Sequence, residues 1–462
     1  MAMMKGFSNV FRIPELRKKI LVTLGLVFVC RLISLIPTPG VDWTVIAQTM
    51  AGRESGGIMG LLSTFTGGAV EHCGIGFLSI WPYISASIVI QLLGSMVPSL
   101  QKLKKEGESG RQRLAQITRY LTIVLCIVQS WSIASVLCNP EMLGIDGRIV
   151  VTENVFGFKL MTVICMTSAS LFVMWIADQI TTFGIGNGAS LIIMINITSR
   201  LPDAIKVACA RYFTPNANAN MFELPVLIIL FLLVVMGTVL LTQGVRKIAI
   251  HATRRSVGGG NTYGMQQTFM PLRVNYTGVM PIIFAQPLIQ IPAYLLMKVT
   301  DPNSEGFSAA VYGFAKKLAE QPTSLSYIII FSFLIMFFAF FWVATQFNAV
   351  DISENLKKDG SYVPGIRPGK ATAEYLDDVM TKITLIGGTG LLIVALFPTL
   401  LMNGMGKAQS FPYEIAQFFG GTSLLIIVGV ALDTLRIMES HLLVRKYDGF
   451  LSHGTLRGRG GV

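Results

Sequence analysis

Residues 321–350 read QPTSLSYIIIFSFLIMFFAFFWVATQFNAV, a run without a charged side chain. A helix rises about 1.5 Å per residue, so roughly 20 residues cross a bilayer core of about 30 Å. The run therefore predicts a transmembrane helix. Comparable uncharged runs lie at 73–101, 120–140, 160–177, 179–199, 224–245, 274–297, 383–406 and 415–432. A further run, 20–36, is interrupted only by Arg31, which is expected to snorkel to the outer interface.

Composition agrees with ten transmembrane helices. The chain has 462 residues, of which 52% are hydrophobic and 13% are charged, and its mean hydropathy is +0.61. Soluble domains carry about 25% charged residues, so a soluble enzyme and a disordered chain are both excluded. The sequence predicts an all-α polytopic membrane protein.

The distribution of positive charge predicts the orientation. Most of the 37 lysines and arginines fall in alternate connections and in both terminal tails. Because positive residues concentrate on the cytoplasmic side, both termini are expected there. The basic regions are the tail 1–19, the connections 99–119, 245–276 and 348–382, and the tail 441–462, with Arg436 just before it.

Two of these loops, 245–276 and 348–382, are longer and more basic than orientation requires. Such loops can bind phosphate backbones or acidic protein surfaces. Orientation alone is the other interpretation of their charge.

An odd number of helices in each half predicts an internal repeat. Five helices within 20–210 and five within 224–440 flank a polar, asparagine-rich external linker at 211–223. The second half then enters the membrane from the opposite side, as in inverted-topology repeats.

The spans lack the residues that membrane enzymes and ion-coupled transporters need. Nine of them contain no charged side chain, and no HExxH, intramembrane aspartate pair or P-loop is present. The six cysteines and four histidines show no ligand spacing, so neither a metal nor a cofactor is expected. We predict a protein that is not an enzyme, with a solute transporter as the alternative to a channel.

One helical face changes from apolar to polar along its length. Ile80, Ile84, Ser87 and Gln91 project from the same side of the span that begins near residue 74. Packing against a neighbouring helix explains this stripe as well as a path through the protein does. The seventh span holds a similar polar pair, Gln286 and Gln290.

Five motifs resemble the SecY/Sec61-alpha family of protein-conducting channels, and the similarity runs from about residue 10 to 450. They are Phe65-Thr66-Gly67-Gly68 leading to Trp81–Ser87, residues 104–111, Gly184–Gly188, Asn355–Lys358 with Pro364–Gly369, and Phe419–Leu425.

The resemblance implies an hourglass channel between two five-helix halves, with three sets of functional residues. A ring of aliphatic side chains closes around the passing chain, a plug over 58–70 fills the outer funnel, and a lateral gate opens to lipid. Alanine replaces a usual ring isoleucine at position 189. The implied ring is Ile80, Ile84, Ile193, Ile283 and Ile426; the plug includes Ile58, Phe65, Thr66, Gly67 and Gly68; the gate includes Ser85, Ser87, Gln91, Gln286 and Gln290.

The resemblance also implies partners. The small subunits SecE and SecG, the motor ATPase SecA, the ribosome (its exit-site protein and rRNA), signal sequences, YidC, SecDF and the lipid bilayer are expected. Glycines occupy 258–260, where the family often has a pair of arginines. The implied binding residues for SecA or the ribosome are Arg246, Lys247, Arg254, Arg255, Lys357, Lys358 and Arg367. The expected location is the cytoplasmic membrane.

Overall fold

A computed structural model gives the fold of residues 13–42, 44, 66–138, 150–151, 154–213, 223–252, 267–300, 307–321, 324–404 and 422–453. These residues divide into two compact units. Unit 1 comprises the described residues up to 201 together with 430–453, and unit 2 comprises the described residues within Pro202–Gly429.

The described residues form fourteen α-helices and three strands. In chain order these are α1 (Pro14–Leu35), α2 (Trp81–Met96), α3 (Pro98–Lys105), α4 (Glu108–Cys138), α5 (Val155–Phe183), α6 (Gly188–Thr198), α7 (Leu201–Phe213), α8 (Glu223–Gln243), β1 (Val245–Ala252), β2 (Gln267–Arg273), α9 (Met280–Val299), α10 (Phe307–Glu320), α11 (Leu325–Gln346), α12 (Ala349–Lys358), β3 (Ser361–Tyr362), α13 (Lys370–Gly404) and α14 (Thr422–His453).

Five helical stretches in the described part are long and apolar enough to cross a membrane. They are Ile75–Gly94, Glu108–Cys138, Val155–Phe183, Leu325–Lys358 and Lys370–Phe397. Several of them expose large apolar side chains, such as Phe333 and Phe337 one helical turn apart on α11. An apolar outer face suits contact with lipid and confirms the polytopic helical membrane fold.

The predicted span 179–199 is wrong as a single helix. Its first residues belong to the end of α5, and a new helix, α6, begins at Gly188. Between the two, Gly186 has a φ of 84°, which a helix cannot accommodate. Asn187 then caps α6 by accepting hydrogen bonds from the amides of Ala189 (3.0 Å) and Ser190 (3.3 Å).

A three-stranded antiparallel sheet in unit 2 adds β-structure that the all-α prediction missed. The strands run in the order β2-β1-β3, with Ile248 opposite Met270 and His251 opposite Tyr362. The sheet joins the two basic loops 245–276 and 348–382. Its inner face packs on a core that includes Ile248, Leu272, Phe347, Val363 and Leu376.

The last helix extends beyond the predicted final span. α14 continues to His453, so its last turns lie within residues 441–462, which the sequence assigns to a tail. Met438 and Leu442 on this helix pack against Leu16 and Ile185 of unit 1.

Candidate functional site

The five isoleucines that the resemblance assigns to the ring are all buried. Their exposed fractions are 2% for Ile80, 9% for Ile84, 8% for Ile193, 4% for Ile283 and 1% for Ile426. None of these side chains is turned outward to lipid.

The polar residues assigned to the gate lie on two helices. On α2, the Gln91 side chain donates a hydrogen bond to Ser87 Oγ at 3.1 Å, which places these two residues on one face. Ser85 lies on a different face, since helical residues advance about 100° each, and its hydroxyl donates to the carbonyl of Trp81 at 3.1 Å. On α9, Gln290 is buried and Gln286 is partly exposed, one turn apart.

The plug assignment falls partly outside the described residues, because Ile58 and Phe65 lie between the described residues 44 and 66. Thr66 is buried at 3% exposure. Gly67 and Gly68 follow with φ values of 66° and 92°, a left-handed conformation that favours glycine.

A polar cluster inside unit 1 surrounds these glycines. The Arg31 guanidinium donates to the carbonyl of Gly67 at 3.1 Å and to Asn196 Oδ1 at 3.5 Å. Asn196 in turn donates from Nδ2 to Ser79 Oγ at 3.1 Å, and Arg200 forms an ion pair with Glu71 at 2.6 Å. Arg31 therefore binds protein groups instead of snorkelling to the interface.

Sequence reasoning missed Asn196, Arg200 and Glu71. The only signal was a polar Asn-Ile-Thr-Ser-Arg run, residues 196–200, that ends the fifth predicted span. Nothing in that run indicates that it meets residues more than a hundred positions earlier.

Arg367 projects from a turn whose backbone is held at several points. The amide of Ile366 donates to the carbonyl of Val363 at 3.2 Å, and Thr372 Oγ1 donates to the carbonyl of Arg367 at 2.8 Å. The buried Ser353 hydroxyl donates to the carbonyl of Gly369 at 2.6 Å. The guanidinium itself is exposed on this fixed turn.

The other basic residues assigned to partner binding are also exposed where the structure describes them. Arg246 and Lys247 begin β1, and Lys357 and Lys358 end α12, one turn before β3. Arg254 and Arg255 lie outside the described residues. The sheet thus brings both basic loops into one platform with exposed cationic side chains.

Comparison with known protein families gives one match. The family model described as SecY matches residues 75–435, which is more than half of the chain.

Relatives and solved structures agree with that match. The protein translocase subunit SecY of Streptomyces coelicolor is 40% identical over 458 residues, covering 97% of this chain and all of the relative. A solved structure titled as that of a protein-conducting channel has a TM-score of 0.56 at 16% identity and covers 92% of both chains. The idle yeast Ssh1 complex bound to the yeast 80S ribosome has a TM-score of 0.58 at 16% identity, covering 91% of this chain and 89% of that one.

Proposed function

This chain belongs to the SecY family, and from that premise we propose how it works as the channel subunit of a protein translocase. It conducts unfolded preproteins across the cytoplasmic membrane and releases transmembrane segments sideways into lipid. The observation that carries this proposal is the near full-length similarity to translocase subunits named SecY.

The ring residues form a passive seal around the passing polypeptide. In this proposal Ile80, Ile84, Ile193, Ile283 and Ile426 line the constriction. Branched apolar side chains offer a passing segment no hydrogen bond or charge, adjust by rotamer changes, and exclude water when closed. Their burial and their positions in the family motifs support this role.

The polar residues Ser85, Ser87, Gln91, Gln286 and Gln290 line the lateral gate. A signal sequence that reaches lipid there gains about 0.8 kcal/mol for each CH₂ group that it buries. That gain allows the segment to leave the channel without another energy source.

Energy for translocation comes from partners that bind the basic platform. We propose SecA and the ribosome as these partners, with contacts at Arg246, Lys247, Arg254, Arg255, Lys357, Lys358 and Arg367. The exposed side chains of the described members of this set and the held turn of Arg367 support the proposal. The platform is then cytoplasmic, as are both termini.

The remaining partners are small membrane proteins. A SecE subunit clamps the halves 20–210 and 224–440, a SecG subunit joins them, and YidC and SecDF cooperate with the complex. As part of this assembly, the chain needs neither a cofactor nor a catalytic residue of its own.

A photocrosslinking experiment tests the channel. A photoreactive amino acid replaces Ile84 or Ile283, and a preprotein is stalled in transit. We expect crosslinks from both positions and none from Ile164, whose side chain is 57% exposed on α5. Uptake of a small solute by the purified protein, dependent on an ion gradient and without such crosslinks, would show a transporter instead.

A further inference from the structure

The segment 66–74, here called the root, overlaps the end of the predicted plug, 58–70, and is bound at both ends to other residues of unit 1. At its front end, the carbonyl of Gly67 accepts a hydrogen bond from Arg31 at 3.1 Å, and Ser199 Oγ lies 3.5 Å from the same carbonyl oxygen. A Cβ atom at Gly67 would collide with the Arg31 guanidinium, so the arginine lies directly on the glycine backbone.

A second arginine holds the middle of the root. Arg200 pairs with Glu71 at 2.6 Å, and its guanidinium carbon lies 3.6 Å from where a Cβ of Gly68 would be. The Arg200 side chain is 18% exposed and that of Glu71 is 37% exposed. Water therefore reaches one partner of this ion pair.

The rear end is fastened differently. The carbonyl of Cys73 accepts hydrogen bonds from the Thr38 amide at 2.9 Å and from Thr38 Oγ1 at 2.6 Å. The amide of Ile75 donates to the carbonyl of Ile36 at 2.8 Å. Thr38 is 1% exposed, so these rear contacts are buried and mostly made by the backbone.

We propose that Arg31 and Arg200 form a clasp on the root, and that release of this clasp limits how easily the plug leaves the channel. The front contacts depend on long side chains, one pair of which touches water, whereas the rear contacts are buried. The front of the root therefore opens first, and the pairing of Ile36–Thr38 with Cys73–Ile75 serves as the hinge. This inference rests on the proposed channel function.

Neighbouring residues hold the clasp in place. Asn196, 1% exposed, bonds both Arg31 and Ser79, and the carbonyl of Ser79 accepts from Ser170 at 2.8 Å. Ser199 also donates to the carbonyl of Asn196 at 2.7 Å. Arg31 reaches Asn196 and Gly67 with two different nitrogens held in one plane, whereas a lysine has a single ammonium nitrogen.

Two variants open the clasp: Glu71→Gln removes the charge at the same side-chain size, and Arg200→Gln removes the charge and shortens the side chain. The first readout is hydrogen exchange at the amides of Glu71, Cys73 and Gly74, which donate to the carbonyls of Gly68, Val70 and Ala69 within the root. We expect exchange there to become about fivefold faster, because both variants remove an ion pair that is partly exposed to water and that stabilises the root by about that factor. This readout does not depend on channel activity.

The second readout is the ion conductance of the resting channel in a planar bilayer. Loss of a contact that only stabilises the fold would not raise this conductance. We expect both variants to increase it, and the exchanged pair Arg200→Glu with Glu71→Arg to restore both readouts. Arg31→Lys keeps the charge and should raise conductance as well. Arg119→Gln is the matched control, because it breaks a 2.7 Å ion pair to Asp178 in the same unit, away from the root.

The possible outcomes distinguish failure of the proposed clasp from failure of the proposed channel function. Unchanged root exchange in both Arg200→Gln and Glu71→Gln, an equal increase in Arg119→Gln, or no recovery in the exchanged pair would overturn the clasp. If Arg200→Gln loses protection throughout α5 and so fails to fold, Glu71→Gln decides. A wild-type protein that passes no preprotein when driven would refute the channel function, while root exchange still reports on the clasp.

Discussion

Buried hydroxyl groups in the helices of unit 1 have two kinds of acceptor. Ser34 donates to the carbonyl of Cys30, four residues earlier in its own helix, at 3.4 Å. Ser170 donates instead across to the carbonyl of Ser79, in the turn before α2, at 2.8 Å. Ser79 has a φ of 46°, which is unusual for a residue other than glycine. A bond between separate segments fixes tertiary structure, whereas a bond within a helix does not.

Ser170→Ala should therefore destabilise the protein by about 1–2 kcal/mol, since it leaves a buried carbonyl without this donor. Thermal unfolding in detergent measures the change. Ser34→Ala is the control, because the carbonyl that it leaves keeps its helical partner, and it should cost less than about 0.5 kcal/mol. Equal losses in both variants would contradict the distinction.

Arg367 is the residue on which we expect partner-driven export to depend most. Reversing its charge in Arg367→Glu should abolish SecA-dependent secretion with normal membrane insertion of the protein, because an exposed cation on a fixed turn meets an acidic surface. Secretion in cells and membrane abundance are the measurements. Lys370→Glu, three residues away and paired only weakly with Glu374 at 3.9 Å, serves as the control. Unimpaired export by Arg367→Glu would refute its role.

Helix α6 depends on its cap more than the long helices do. It has only 11 residues and follows a break with a left-handed glycine, so few backbone bonds compensate for a lost terminus. Gly188 also lies so close to α5 that a Cβ there would meet the carbonyl of Ala177. Asn187 and Gly188 together thus fix the start of α6, the helix that carries Ile193 and Asn196, the hydrogen-bond partner of the clasp residue Arg31.

Asn187→Ala should destabilise the protein by about 1 kcal/mol, the usual loss when a capping side chain is removed. Asn187→Asp retains a side-chain acceptor and should stay within about 0.5 kcal/mol of wild type. Unfolding midpoints in detergent distinguish the two. A midpoint that is unchanged in Asn187→Ala would mean that packing against α5, and not the cap, positions α6.

The proposed function makes the chain a passive conduit. The sequence contains no P-loop. In the proposed function, the work of translocation is done by the partner that binds the platform. A conduit of this kind must still hold back ions when no chain is passing. In the proposed channel, the apolar ring and the plug together supply that barrier.

Deleting residues 58–70 should raise the resting ion conductance of the reconstituted channel, because the ring alone then has to exclude water and ions. Single-channel recording in a planar bilayer measures it. Replacing the same residues by an equally long glycine-serine segment controls for loop length and should also leak. A membrane as tight as with the wild-type protein would refute the plug assignment.

Uncharged runs and their lengths were sufficient to determine the polytopic helical fold, because a lipid core admits only segments that satisfy their own backbone hydrogen bonds. The motifs, in their order, were sufficient to identify the family. Sequence reasoning also placed the exposed basic residues in the connections between the predicted spans, where charged side chains remain in contact with water.

Tertiary structure alone decided the contacts between distant segments. The strands β1 and β3 come from loops about a hundred residues apart, and alternation such as that of Ile248 and Ile250 became meaningful only with a core beneath it. Arg31, Glu71 and Arg200 likewise come together through the packing of separate segments. Periodicity reports one segment at a time, whereas a hydrogen bond between segments depends on where the chain returns in space.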